Sequence, residues 1–124
     1  PGMPEVFARL ANEAAAAAGF QGFEPDACLV NRYLPGSRLS LHQDRNERDR
    51  EAPIVSVSLG MRATFQFGGH KRADPVARVL LHHGDVAVWG GIDRLRHHGV
   101  MPLKGEPHAL LGRQRINLTF RKAG

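Results

Sequence analysis

The sequence predicts a mainly β domain with one N-terminal helix. A single stretch of helical apolar spacing opens the chain, and eight short β-like segments separated by turn signals follow it. The 124 residues are enough for one domain, and 14 Gly and 8 Pro favour a turn-rich architecture. We therefore expect a sandwich, a barrel or a jelly roll.

The helix is predicted over residues 4–18. Pro4 suits a first helical turn, the alanine-rich run 14–18 has high helix propensity, and Gly19 is a natural stop. Helical spacing places a set of apolar side chains close to one face: Val6, Phe7, Leu10, Ala14 and Ala17.

Eight strands are predicted after the helix, at 27–33, 38–42, 54–59, 63–67, 76–82, 85–89, 96–100 and 114–121. Turn signals rich in Gly and Pro separate most of them. Residues 43–53 are polar, so we expect them to form a solvated loop outside the core.

Composition narrows the functional class. The net charge of +5 is compatible with an anionic partner such as nucleic acid without requiring one. The one cysteine, Cys28, excludes a disulfide scaffold and a cysteine-based zinc site. No membrane-spanning apolar run and no signal peptide are recognisable, so we expect a cytoplasmic monomer without a membrane partner.

A candidate metal site begins with the H-x-D sequence of His42 and Asp44. Both side chains point to the same side of a strand end, where they can reach one ion, and we select the distant His98 as third ligand. Two imidazoles and one carboxylate leave three octahedral positions open, which is typical of non-haem Fe(II) oxygenases.

Each of these histidines also has an interpretation that involves no metal. H-x-D is short enough to occur by chance, and the pairs His82-His83 and His97-His98 equally suit surface positions beside turns. Four histidines are expected to be solvated or structural: His70, His82, His83 and His108.

The last predicted strand alternates polar and apolar residues. Arg115, Asn117, Thr119 and Arg121 share one face, and in the first strand Asn31 and Tyr33 share another with Leu29. A pocket lined by two arginines, an amide and a phenol beside a metal would suit a small dicarboxylate. The alternative is an ordinary half-exposed strand with its arginines in solvent.

An ordered set of motifs resembles the AlkB family, specifically the bacterial alkylated-DNA repair dioxygenases. The motifs are NRY at 31–33 with PG at 35–36, LHQD at 41–44, PIVSVSLG at 53–60, FQFGG at 65–69, GDV at 84–86, VWGG at 88–91, HG at 98–99 and RINLTFR at 115–121. The resemblance implies a jelly roll (double-stranded β-helix) that makes residues 1–124 one catalytic core. It also implies oxidative demethylation of bases such as 1-methyladenine and 3-methylcytosine in single-stranded DNA or RNA.

The same resemblance implies the cofactors and the metal site. Fe(II), O2 and the co-substrate 2-oxoglutarate are expected, with succinate, CO2 and formaldehyde as by-products. His42, Asp44 and His98 would be the iron ligands. Trp89 would lie near the metal, a role compatible with its being a large core side chain.

Five further residues would form the 2-oxoglutarate pocket by resemblance. Arg115, helped by Tyr33, would pair with the distal carboxylate. Arg121 and Asn31 would hold the end that chelates iron, and Asn117 would support the pocket.

Substrate recognition is where the chain departs from the family pattern. Family members carry a nucleotide-recognition lid before the helix, and because this sequence begins almost at the helix we expect the lid to be missing. Asn46 stands where the bacterial enzymes often have an acidic residue, and with Arg72 it is our substrate-binding candidate. Two alternatives stay open: a lidless metal- and 2-oxoglutarate-binding module without nucleic-acid turnover, or a dioxygenase acting on another substrate.

Overall fold

The computed structural model describes residues 3–43 and 52–122. Within these ranges the chain forms one helix, eight strands and one turn of 3-10 helix at Gly91–Asp93. The elements are α1 Glu5–Ala17, β1 Ala27–Tyr33, β2 Leu39–His42, β3 Ile54–Gly60, β4 Ala63–Phe67, β5 Ala77–Leu81, β6 Val86–Trp89, β7 His98–Val100 and β8 Arg115–Arg121. No described helix has the length and apolar character needed to cross a bilayer.

The strands form two four-stranded antiparallel sheets, which confirms the predicted jelly roll. Sheet A has the order β1-β8-β3-β6, and sheet B has the order β2-β7-β4-β5. All eight predicted strands are present, but β7 begins at His98 rather than at residue 96. The backbone N–H of Arg96 instead donates to Asp93 within the preceding turn, and His97 exchanges backbone bonds with Gly68 and Gly69 after the end of β4.

Helix α1 packs on the outer face of sheet A. Its contact is centred on Ala11 and Ala15, both fully buried, because small side chains let the helix backbone approach the sheet closely. The sheet covers the predicted apolar face only in part, since the side chains of Val6 and Leu10 are 65% and 38% exposed. Pro4 precedes the helix as its N-cap rather than lying in the first turn.

A second apolar cluster lies between the two sheets and shares several side chains with the lining of the pocket described below. It includes Phe65, Leu81, Trp89 and Val100.

Of the predicted solvated loop 43–53, residues 44–51 lie outside the described residues. Pro53 is buried, which corrects the expectation for that end, because it immediately precedes the buried start of β3.

Candidate active site

The pocket between the two sheets brings together residues from seven of the eight strands. Strand pairing explains the convergence on sheet A, because Asn31 lies opposite Asn117 and Tyr33 lies opposite Arg115 in the β1–β8 register. Eight of the predicted site residues line this pocket: Asn31, Tyr33, His42, Trp89, His98, Arg115, Asn117 and Arg121. Residues separated by up to 90 positions in the sequence therefore share one cavity.

Two imidazoles form the sheet B side of the pocket. His42 ends β2 and His98 begins β7; the two are partners in the strand register, and their ring centroids are 4.3 Å apart. Nδ1 of His42 lies 2.9 Å from the carbonyl oxygen of Ser40, and Nδ1 of His98 lies 3.4 Å from that of Arg96. A carbonyl only accepts, so Nδ1 carries the proton and Nε2 carries the lone pair that a metal requires.

The third predicted ligand, Asp44, lies outside the described residues. Across 3–43 and 52–122, no group of three His, Cys, Asp or Glu side chains converges on one point. The residue between His42 and Asp44 is firmly held, because the Gln43 side-chain amide donates to the carbonyl of Leu95 at 2.7 Å. This bond ties the end of β2 to the turn that precedes His98.

Trp89 lies beside this histidine pair. Its ring centroid is 4.9 Å from that of His98 and 5.5 Å from that of Phe65. The indole is 7% exposed, and its Nε1–H has no hydrogen-bond partner in the described chain. Trp89 is therefore a large core side chain that also lies beside His98, one of the two candidate metal ligands in this pocket.

Arg115 is the principal charged group of the sheet A side. It is 1% exposed; Nη2 donates to Ser58 Oγ at 2.9 Å, while Nε and Nη1 have no partner in the described chain. Burial lowers the pKa of this guanidinium, an effect that Tyr33 opposes. Unpartnered donors on a buried cation are costly, and a carboxylate with two oxygens would satisfy them as a bidentate pair.

Tyr33 lies against this guanidinium. The Arg115 guanidinium carbon is 5.1 Å from the centroid of the tyrosine ring. Burial raises the pKa of the Tyr33 phenol, and the positive charge of Arg115 partly offsets that rise. The phenol therefore remains a neutral donor in the pocket across the physiological pH range.

Asn117 is a structural support. Its Nδ2 donates to Ser56 Oγ at 2.7 Å and to the carbonyl of Val57 at 3.2 Å, and its Oδ1 accepts from Thr119 Oγ1 at 2.6 Å. Because both amide hydrogens are engaged, Asn117 stiffens the sheet A side of the pocket.

Ser56 and Ser58 were missed as site residues. Their signal was present, because two serines alternate within an otherwise apolar buried strand.

Comparison with known proteins agrees with this geometry. Residues 1–121 match the 2OG-Fe(II) oxygenase superfamily. The chain is 61% identical over 124 residues to the alpha-ketoglutarate-dependent dioxygenase AlkB of Escherichia coli strain K12. That alignment covers all of this chain and 57% of the relative, so the chain spans little more than half the length of that protein.

Two further relatives extend the match. The nucleic acid dioxygenase ALKBH1 of Mus musculus is 40% identical over 97 residues, covering 78% of this chain and 25% of the mouse protein. A solved structure of OsALKBH1 superposes with a TM-score of 0.86 at 35% identity, covering 98% of this chain and 66% of that one. The chain belongs to the 2OG-Fe(II) oxygenase superfamily.

The residues present suit the two groups that give the superfamily its name. Two imidazoles with Nε2 lone pairs suit a divalent transition metal, and 2-oxoglutarate has a carboxylate for the unpartnered donors of Arg115. The two groups would lie on opposite walls of one pocket, because the histidines belong to sheet B and Arg115 belongs to sheet A. A small dicarboxylate can bridge such walls.

The substrate candidates lie elsewhere. Asn46 is outside the described residues. Arg72 is exposed outside the pocket, and its Nη2 donates to the carbonyl of Leu41 at 3.0 Å, one residue before His42. It is thus tethered beside the end of β2, which carries the candidate ligand His42.

The structure also shows that the histidines lie in different environments. His97 and His98 are 8% and 5% exposed, so the surface alternative for that pair is wrong. His83 is structural, since its Nδ1 accepts from the backbone N–H of Gly60 and its ring stacks on that of His108.

Proposed function

We propose that this chain carries the catalytic core of an Fe(II)- and 2-oxoglutarate-dependent dioxygenase that demethylates N-alkylated bases in DNA or RNA. The observation that carries the proposal is the division of one pocket into two walls. One wall presents the paired imidazoles of His42 and His98, and the other presents the buried, incompletely paired guanidinium of Arg115.

Each wall would have a defined task. His42 and His98, with Asp44, would hold Fe(II), while Arg115 and Tyr33 would bind the distal carboxylate of 2-oxoglutarate. Arg121 and Asn31 would orient its α-keto acid end. When bound, the iron, 2-oxoglutarate and O2 supply the oxidation of an N-methyl group, with succinate and CO2 formed from the co-substrate. The protein contributes orientation and a buried cavity.

The nucleic-acid assignment has three supports. The mouse relative is by name a nucleic acid dioxygenase, the chain has a net charge of +5, and Arg72 lies exposed beside the metal-binding strand. An alkylated base such as 1-methyladenine or 3-methylcytosine must leave the base stack to enter the pocket, which favours single-stranded substrate. A monomeric state and a cytoplasmic location remain predictions.

The direct test is mass spectrometry of a single-stranded oligonucleotide containing 1-methyladenine or 3-methylcytosine. The oligonucleotide is incubated with the protein, Fe(II), ascorbate and 2-oxoglutarate, and succinate is quantified in parallel. We expect demethylation with matching succinate formation. His42→Ala is the control, because it removes one metal ligand without touching the Arg115 wall.

The other possible outcomes of this assay show which part of the proposal is wrong. Succinate without demethylation would retain the dioxygenase chemistry and reject the nucleic-acid substrate. Neither product from protein that binds iron would reject the catalytic proposal. Undiminished turnover by His42→Ala would reject the metal site.

A further inference from the structure

The two sheets differ in what covers their outer faces. Helix α1 covers sheet A, whereas no described helix packs on the outer face of sheet B. On β4 and β5 the inward residues Phe65 and Leu81 are buried, so their alternates Thr64, Leu80 and Arg78 point outward. This face is therefore an open surface of the described chain.

A groove runs across this face between β4, β5 and the segment after β7. We call it the outer groove. Leu80, Met101 and Pro102 contribute its apolar lining, and Arg62, Arg78 and Lys104 contribute its charge. The backbone N–H of Met101 donates to the carbonyl of Thr64 at 3.0 Å, which fixes one border to β4.

All the charged side chains that line the outer groove in the described part of the chain are positive. Among these described residues no carboxylate lines the groove, and none of its three cations forms an ion pair or a side-chain hydrogen bond. Other cations of the fold, such as Arg9 and Lys122, are paired with acidic residues. Glu106 lines a neighbouring cleft that Arg62 also borders, but the two form no ion pair. The groove thus has the electrostatic character of a site for an extended anion.

The strands that border the outer groove are joined by a turn that contacts the strand carrying His42. The turn between β4 and β5 carries Lys71 and Arg72, and Arg72 is bonded to the residue before His42. Arg78 lies on β5 shortly after that turn, opposite Gln66 of β4. Exposed positive charge is therefore present beside the end of β2 that carries His42, on β5, and in the groove.

We propose that the outer groove binds the sugar-phosphate backbone of the nucleic-acid strand whose alkylated base occupies the pocket. The inference rests on the proposed function and extends it to the flanking nucleotides. Arginine and lysine bind phosphates and release counterions, and the aliphatic lining offers contact for the sugars. Continuity with Arg72 favours a nucleic-acid strand over an acidic peptide.

The test is the salt dependence of binding to an unmethylated, fluorescently labelled single strand of about 12 nucleotides. Anisotropy titrations would be run between about 50 and 200 mM NaCl. We expect the triple variant Arg62→Ala, Arg78→Ala, Lys104→Ala to lower the slope of log K against log salt by about 2, since each single-strand phosphate contact contributes about 0.7. The matched control removes three exposed or half-exposed cations from the other side of the molecule: Arg9→Ala, Arg32→Ala, Lys122→Ala.

The outcomes separate this inference from the proposed function. An equal loss of slope in both triple variants would overturn the groove and leave only a net-charge effect, and an unchanged slope in the groove variant would also overturn it. Stronger competition by poly-glutamate than by an oligonucleotide of equal charge would reject nucleic acid in favour of an acidic protein partner. Because the probe carries no methyl group, a specific loss of slope would support the groove even if the demethylation assay failed.

Discussion

The two inner walls of the pocket are built from different chemistry. The sheet A wall is a hydrogen-bonded polar lattice in which Arg115, Asn117 and the serines of β3 engage one another. The sheet B wall is apolar around two imidazoles, with Phe65 and Val100 beside His98. One wall therefore suits an anion, and the other suits a transition metal.

The difference shows two ways of making a site from β-structure. The sheet A wall follows from alternation within single strands, because every second residue of β8 faces the pocket. The sheet B wall depends on two strand ends that meet across a register pair, His42 and His98. An alternating strand tolerates local changes, whereas a site at strand ends depends on how the turns close.

The largest expected effect is on metal binding at the sheet B wall. His98→Ala should weaken binding of Mn(II) or Co(II) by more than about 100-fold and should abolish turnover. Removing even an outer partner of a metal ligand typically costs about 10- to 100-fold in metal affinity, and the loss of a ligand itself should cost more. Trp89 is the only tryptophan and lies 4.9 Å from His98, so its fluorescence reports metal binding. His97→Asn is the control, since an amide can replace the Nδ1–H contact to Gly69. Comparable metal affinity in His98→Ala and wild type would remove His98 from the site.

The second-largest expected effect is on 2-oxoglutarate binding and distinguishes the roles of the two walls. Arg115→Met should weaken 2-oxoglutarate binding by about 100-fold, or about 3 kcal/mol, while leaving metal affinity unchanged. Without 2-oxoglutarate its thermal stability should hold or rise, because a buried guanidinium with unpartnered donors is removed. Calorimetry on Mn(II)-loaded protein and thermal melts measure these quantities.

Arg32→Met is the matched control for that experiment. Arg32 lies on β1 but is exposed and bonds to Gln114 outside the pocket. Equal losses of 2-oxoglutarate affinity in the two variants would contradict the assignment of Arg115.

The smallest effect concerns pH and lies within the polar wall. Tyr33 is the only tyrosine, so its phenolate absorbance is observed without overlap. Burial raises its pKa above the ordinary value of 10.0, so the folded protein should ionise later than the urea-unfolded chain. Folding stability from the neutral phenol is fully present below pH 10.0 and is lost as pH rises through the folded-state pKa.

The same titration tests the contact with Arg115. In Arg115→Met the pKa of Tyr33 should rise further, because the cation that partly offsets burial is gone. Ionisation of Tyr33 at the same pH in the folded and unfolded chains would contradict its burial against the guanidinium.

Much of the fold was predictable because period-two alternation and Gly/Pro turns are local signals. The eight strands follow from them, and so does the shared face of Arg115 and Asn117. The apolar face of α1 that the sequence predicts coincides only in part with its contact on sheet A, because Val6 and Leu10 continue the helical apolar pattern while the fully buried residues are the smaller Ala11 and Ala15. The hydrophobic pattern marks which residues can be buried, and the partner surface selects among them.

The strands, the faces of β1 and β8, and a motif order that resembles the AlkB family could all be predicted from the amino-acid sequence. Three features emerge only in the folded chain: Arg115 is buried with donors that have no partner among the described residues, Ser58 accepts from it, and His42 and His98 are neighbours. Alternation is encoded between adjacent residues and can be read locally. Burial and the pairing of distant strand ends arise only when two sheets close around a common cavity, so their consequences for charge and hydrogen bonding depend on the folded chain.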